Sequence, residues 1–335
     1  MRALATRHHT GLDPARGAVA EVIGNIAATS QAQQMLSQRQ EIDVRTLLVA
    51  HRVLMDASPS PHLGGVVRLE QNWVGGNDWH PLDGDFVPPP PDMCQPLLAD
   101  LVNYLRSEDH SPLLQAAVAH AQFETIHPFG DGNGRAGRAV LYGVLKQRCA
   151  ANGMMPPISL ALSGNRGAYL DSLAEFQTYV GAAHDPGRSA ALVRWLEVLA
   201  TAVHQSSVAV VGYQKAIEVL QRHWRAAVGG RRGRSAISAI IDHLPTNPSV
   251  TAKTLSEATG FSERRCADAL RRLKAVGVVK DRTVGPSLRV YEADKIFDVF
   301  AVMSSTVCDP KSSDREYAPV LACPMLPVPG LTARP

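Results

Sequence analysis

The 335 residues suffice to bury a sizeable core and suggest two domains or one large domain with appendages, and a hydrophobic content of 45% is that of a soluble globular protein. No run nears the roughly eighteen apolar residues of a membrane span, and no apolar signal segment opens the chain, which excludes an integral membrane protein and predicts the cytoplasm. The net charge of +3 is uneven: residues 231 to 302 hold thirteen Lys or Arg against eight Asp or Glu, whereas residues 1 to 230 hold eighteen against twenty. The positive excess therefore belongs to a C-terminal segment and points to an anionic partner there. Five scattered cysteines, Cys94, Cys149, Cys266, Cys308 and Cys323, form neither a disulfide framework nor a spaced zinc site. Low aromatic content and abundant alanine favour helices.

In chain order, apolar recurrence at helical spacing predicts helices over residues 14 to 30 and 42 to 56. Ser58, Pro59, Ser60 and Pro61 stop the second, and residues 57 to 92 read as short extended pieces, a hairpin or ordered flap. The run Pro88 to Pro91 returns the chain to a helix that begins near Asp92. Ser111 as N-cap with Pro112 in the first turn starts the next, which should end near Ile126 ahead of Pro128. Another begins about Gly134. Further helices are expected over 165 to 180, 188 to 206 and 209 to 226, followed by a glycine- and arginine-rich linker at 229 to 234. The segment 235 to 302 reads as helix, helix, turn, helix and two strands around Gly285-Pro286: Ala236 to His243, Ala252 to Thr259 capped by Thr251, a third helix to about Val276, then Val278 to Lys280 and Leu288 to Tyr291. That order is similar to a winged helix-turn-helix domain, with Leu255, Phe261, Ala267, Leu270 and Leu273 as its core. Arg264, Arg265, Arg271, Arg272, Lys274 and Arg282 are candidate DNA contacts, and protein docking is the open alternative. The proline-rich residues 303 to 335 read as a flexible tail.

The chemistry concentrates between His127 and Arg138, in the loop joining two apolar helices. Gly130, Gly132 and Gly134 allow close backbone approach, and a helix start within their span offers free N–H groups and a favourable dipole to a phosphate. Arg135 and Arg138 lie three apart on that helix, Asp131 supplies one hard oxygen for Mg2+, and His127 has its free pKa near neutrality. The same residues satisfy the dinucleotide pattern G-x-G-x-x-G, but the preceding segment is helical, not a buried strand. A plain glycine-rich interhelical turn explains the glycines but not His, Asp, Asn and two Arg together.

The run His127-Pro128-Phe129-Gly130-Asp131-Gly132-Asn133-Gly134-Arg135-Ala136-Gly137-Arg138 resembles the signature of the Fic family. The flap segments Gly65 to Arg68, Asn72 to Gly75 and Phe86 to Pro90, and Phe123-Glu124-Thr125-Ile126 before the histidine, extend the likeness over roughly residues 15 to 180. The resemblance implies an all-α fold, a helical core with a β-hairpin flap, plus the C-terminal winged helix-turn-helix. It divides the chain into N-terminal helices at 1 to 60, a catalytic core with flap at 61 to 228, the linker 229 to 234, the winged domain 235 to 302 and the tail 303 to 335.

It also implies a protein adenylyltransferase that moves AMP from ATP to a Tyr, Thr or Ser hydroxyl of a target protein. His127 is then the base, Asp131 the Mg2+ ligand, Gly132, Asn133 and Gly134 an anion cradle joined by Gly130, and Arg135 and Arg138 the charge clamp. Phe129 anchors the loop, the flap from Leu69 to Val74 aligns the target by backbone pairing, and Asn165 and Tyr169 approach the nucleoside. Gly134 stands where a kinase branch of the family carries lysine. No Glu is followed by Gly or Asn, so the inhibitory helix motif of many relatives is missing. Control then falls to an antitoxin-like partner or to sequence ahead of Met1, unless this mode of inhibition is not used. A second copy of the chain, DNA at residues 235 to 302, UMP, GMP or phosphocholine transfer, deadenylylation and a nucleotide-responsive DNA-binding regulator remain open alternatives.

Overall fold

A computed structural model describes residues 18–38, 42–56, 58–76, 81–149, 155–178, 186–229, 235–284 and 288–309. The chain divides between Ser206 and Ser207 into two compact units, one of residues 21–206 and one containing the residues from 207 on.

In the first unit α1 (Ala18–Leu36) leads to α2 (Val44–Met55), then past single 3-10 turns at Pro61–Leu63, Pro81–Asp83 and Pro91–Met93 to α3 (Cys94–Arg106). Helices α4 (Pro112–Ile126), α5 (Asn133–Arg148), α6 (Ile158–Gly164) and α7 (Arg166–Thr178) follow, and α8 (Pro186–Ala227) crosses the division. Local sequence chemistry sets the starts. Asp43 and Thr46 form a reciprocal capping box at α2, with Thr46 N–H donating to Asp43 Oδ1 at 2.6 Å. Ser111 Oγ accepts from Leu114 N–H at the start of α4, and Pro112 follows it. Helix α4 is buried on nearly every side, and Trp195 of α8, itself fully buried, donates through Nε1 to the Ala117 carbonyl at 2.9 Å. A hairpin-like α4 and α5 pair thus carries the connecting loop on two core helices.

Between α2 and α3 the described residues of the flap hold isolated antiparallel bridges, Val74 to Phe86 and Val67 to Phe129, rather than a continuous two-stranded ladder. Proline at 88 to 91 and glycine at 75, 76 and 84 explain why pairing stops after one bridge. The first bridge closes the flap on itself, and the second ties it to the His127 loop. One helix differs from expectation. Residues 188 to 226 form one continuous helix, and Ser206 within it returns its hydroxyl to the Ala202 carbonyl at 2.7 Å and so causes no break. The short α6 lies in a stretch that carried no expectation from sequence.

The second unit contains α9 (Ala236–His243), β1 (Ser249–Val250), α10 (Ala252–Thr259), α11 (Glu263–Ala275), β2 (Lys280–Val284), β3 (Leu288–Glu292) and α12 (Asp294–Cys308). The strands form one antiparallel sheet in the order β1-β3-β2, with Arg282 opposite Val290 and Val250 opposite Tyr291. Thr251 and Thr254 make the capping box of α10, and Gly260 ends it at φ 76°. Leu255, Leu270 and Leu273 lie in the core beside Ile240, Val279 and Ile296; Phe261 packs against it half-buried. Ala267 is only half-buried, because the inward positions of α11 are Cys266, Ala269, Leu270 and Leu273. Residues 303 to 308, read as the start of a loose tail, complete α12, where Met303 and Val307 are buried. The linker residues 230–234, the wing tip 285–287 and the tail from 310 lie outside the described residues.

Candidate active site

Helix α4 ends by a sharp reversal. His127 adopts φ 46°, ψ 58°, the left-handed region, while its N–H still bonds to the Phe123 carbonyl at 2.9 Å. It is the only non-glycine residue with positive φ among those described, a conformation that costs about 1 to 3 kcal/mol and persists only where its surroundings enforce it. The flap supplies that enforcement. Arg68, almost fully buried, donates through Nε to the His127 carbonyl at 2.9 Å, and its backbone N–H donates to the Pro128 carbonyl at 2.9 Å. Asn72 Nδ2 donates to the Phe129 carbonyl at 3.0 Å. The flap is therefore part of the loop's support as well as a candidate target edge.

Asn133 clamps the loop from the other side. Its Oδ1 accepts from Phe129 N–H at 2.9 Å and its Nδ2 donates to the Phe129 carbonyl at 2.7 Å, so both backbone groups of one residue are satisfied by one amide. Its backbone N–H, at the start of α5, is not used by this clamp. Phe129 is fully buried and stacks on His51 at 3.6 Å between ring centres, 4° from parallel. Gly65 N–H donates to His51 Nδ1 at 3.0 Å, so the ring proton sits on Nε2, which donates to the Asp131 carbonyl at 2.9 Å. His51 thus joins helix, flap and loop. Sequence reasoning gave no role to it, to Glu124 or to Arg68, since nothing in the spacing of a lone polar residue on an apolar helix face, or of one arginine in an irregular flap, reveals what it holds.

Gly132 sits at φ 78°, and a Cβ there would come within 2.8 Å of Met55 Sδ and 3.0 Å of His51 Nε2. It is the N-cap of α5 and no side chain caps that helix, so the first N–H groups of α5 have no intrahelical partner. Free donors at a helix start are of the kind that suits an anion. Gly130, by contrast, would meet only ordinary contact with Leu63 and carries no steric requirement.

The two arginines diverge. Arg135 donates to the Leu54 carbonyl at 3.2 Å and lies 3.7 Å from Asp131 Oδ2, while Arg138 faces Glu124 and Tyr169 on the other flank, close enough to oppose the rise in their pKa values. Asp131 is half-exposed; its Oδ1 accepts from Gly132 N–H at 2.6 Å. No group of three or more His, Cys, Asp or Glu that could hold a metal occurs among the described residues. One exposed carboxylate beside a phosphate cradle nevertheless suits Mg2+, which takes few protein ligands and completes its shell with phosphate oxygens and water. Tyr169 Oη meets His120 Nε2 at 3.1 Å, and its ring packs against His120 and Trp195. Asn165 is not brought to the loop: it is exposed and lines a cleft of about 350 Å³ with Leu162, Asp171, Ser172, Arg194 and Glu197, to which no residue of 127–138 contributes.

Burial pushes His51, His120 and His127 each down to about 4, whereas a free histidine titrates near 6.5. Between those values the unfolded chain binds more protons, so the stability these groups contribute is complete above pH 6.5 and is lost as pH falls towards 4. Glu124, raised by burial from 4.5 to about 7, acts in the opposite sense between pH 4.5 and 7, and three histidines outweigh it below pH 6.5. Thermal melts should therefore show a midpoint for this unit that drops steeply from pH 6.5 to 4.5. A midpoint flat over that range contradicts the buried neutral histidines.

His127 itself is neutral near pH 7. Its Nδ1 lies 3.3 Å from the Glu124 carbonyl, an acceptor only, so Nδ1 carries the proton and Nε2 keeps the free lone pair. The arrangement offers a base, an anion cradle and a carboxylate within one short loop.

Residues 41–145 match the model of the Fic/DOC family. The chain is 34% identical over 124 residues to the protein adenylyltransferase Fic of Drosophila ananassae, covering 36% of this chain and 23% of that protein. It is 38% identical over 91 residues to a probable protein adenylyltransferase of Aquifex aeolicus, 27% of this chain and 26% of that one. It thus spans about a quarter of the length of these curated relatives. A Fic family protein from Desulfovibrio desulfuricans G20 is similar at a TM-score of 0.43 and 20% identity, over 83% of this chain and 76% of that chain. The likeness to the Fic/DOC family thus rests on residues 41–145, which contain the whole loop from His127 to Arg138.

Proposed function

We propose that the chain is a protein adenylyltransferase, moving AMP from ATP to a Tyr, Thr or Ser hydroxyl of a target protein. The single observation that carries the reading is the pairing of a neutral His127, its Nε2 unclaimed, with the uncapped start of α5 six residues on. His127 Nε2 takes the proton of the attacking hydroxyl, whose oxygen bonds to the α-phosphorus as the bond to the β-phosphate breaks. The α5 N–H groups and Arg138 hold the phosphates, and Asp131 is the residue to hold Mg2+, with Arg135 placed 3.7 Å behind it. When bound, Mg2+ supplies charge neutralisation between the phosphates. No helix among the described residues is long and apolar enough to cross a membrane. Incubation with ATP labelled at the α- or the γ-phosphate tests the reaction class: α-label on protein supports nucleotidyl transfer, and γ-label contradicts it.

A second reading, DNA binding by the unit from residue 207 on, is favoured by one observation. Its helix-strand-helix-helix-strand-strand order is compatible with a winged helix-turn-helix, and of the basic residues on α11 and the strands after it, Arg271 pairs with Asp268, Lys274 with Asp281 and Arg282 with Glu292. Arg264, Arg265 and Arg272 are exposed and without an ion pair among the described residues. Replacing these three by alanine should weaken duplex binding and lower the slope of log affinity against log salt by about 1 for each phosphate no longer neutralised, whereas Arg271→Ala should change little. Equal effects from all four contradict this assignment.

A further inference from the structure

Glu124 takes no part in the reading above, and its surroundings are costly for a carboxyl. It is buried on α4 three residues before His127; its Oε1 has no hydrogen-bond partner, and its Oε2 lies 3.8 Å from His127 Nδ1. One turn earlier on the same face lies His120, whose Nδ1 also faces Gly137. Gly137 of α5 makes room for both: a Cβ there would approach Glu124 Oε1 to 2.4 Å and His120 Nδ1 to 3.1 Å. A buried oxygen left without a partner is destabilising, and an aliphatic side chain at this position would carry no such penalty. Packing alone therefore does not account for a carboxyl here.

The groups that face Glu124 are His120 and His127 on its own helix, Arg138 on α5 and Tyr169 on α7; those that face His127 are Glu124 and, from the flap, Arg68. Neutral His127 needs only the Glu124 carbonyl at 3.3 Å to fix its tautomer. Once Nε2 gains a proton the ring is a buried cation beside the Arg68 guanidinium, and of the groups facing it the Glu124 carboxyl is the one that becomes an anion. We propose that Glu124 is a positioning residue for His127, its Oε2 closing on Nδ1–H as Nε2 takes the hydroxyl proton, so that an ion pair replaces an isolated imidazolium. This rests on His127 being the base of the transfer proposed above. The hydroxyl O–H breaks and Nε2–H forms, the oxygen's electron pair goes to the α-phosphorus, and the pair of the broken P–O bond leaves on pyrophosphate. Glu124 exchanges no proton. Burial holds Glu124 near 7, so its contribution should grow as pH rises through neutrality.

The test compares the full chain with Glu124→Gln, and with Glu124→Leu in case the amide folds poorly. The NMR signal of the His127 Nδ1–H proton at pH 8, where the Glu124 carboxyl is an anion, and steady-state transfer are read together with the melting temperature. Expected are a displaced Nδ1–H signal, a kcat reduced about 10- to 100-fold with KM for ATP retained, loss of the rate increase through pH 7, and a melting temperature equal to or above that of the parent. A purely structural role would lower the melting temperature instead. An unchanged Nδ1–H signal with unchanged kcat overturns the proposal while leaving the transfer reading intact. The same displacement where the parent chain transfers no label supports the pairing and overturns the transfer.

Discussion

Replacing His127 by alanine is expected to reduce transfer about 10²- to 10⁴-fold, the range that a positioned general base supplies, while ATP affinity stays within a few-fold of the parent. The split follows from where the residues lie. The proposed phosphate contacts come from the first N–H groups of α5 and from Arg138, none of which bonds to the His127 side chain. The His127 backbone, in contrast, is held by Arg68 and by the Phe123 carbonyl through groups that alanine retains. Alanine tolerates the left-handed conformation no better than histidine, so the variant should melt within a few degrees of the parent. Single-turnover transfer and equilibrium ATP binding, measured on the same preparation, check both halves. Retained transfer removes His127 from the chemistry; lost ATP binding makes it a support of the cradle.

The second large effect is expected from Asn133→Asp, which keeps size and shape. Oδ1 can still accept from Phe129 N–H, but the second oxygen would stand where Nδ2 now donates to the Phe129 carbonyl at 2.7 Å. A donor and acceptor pair becomes two acceptors in contact, with a charge placed in a nearly fully buried site. A negative charge in the first turn of a helix gains at most about 1 kcal/mol from the dipole, whereas a buried uncompensated charge costs about 3 to 5 kcal/mol, so the cost prevails. For a unit of this size the melting temperature should fall by about 10 °C, and transfer should be lost along with it because the added charge faces the phosphate cradle. Calorimetry and the transfer assay together read this out. A variant as stable as the parent contradicts the double clamp.

Much of the scaffold was legible in the sequence because local chemistry set it. Ser111-Pro112 starts α4, and Thr251 starts α10, through side chains that bond within one turn. The break expected near residue 207 failed since serines inside a helix can satisfy themselves on the preceding carbonyls, which spacing alone does not reveal. At the site, the glycines, the histidine and the arginines were visible as a cluster of residue types. Their division of labour was not. That Arg135 reaches back to Leu54 and that Tyr169 meets His120 while Asn165 lines a separate cleft depend on contacts between segments distant in sequence, and that Asn133 spends its side chain on Phe129 depends on the reversal of the chain at His127. His51 was illegible for the same reason: its partners, Gly65 and Asp131, lie 14 and 80 residues away. The flap signals of glycine and proline were read as a hairpin, and the pairing they permit is one bridge within the flap and one to the loop.

The central claim is that the loop from His127 to Arg138 transfers a nucleotide, and intact-mass spectrometry of the protein and of candidate targets after incubation with ATP and Mg2+ tests it most directly. The account predicts a gain of one AMP per modified site that disappears with His127→Ala. A gain of one phosphate, or a gain of AMP that survives that substitution, would contradict it.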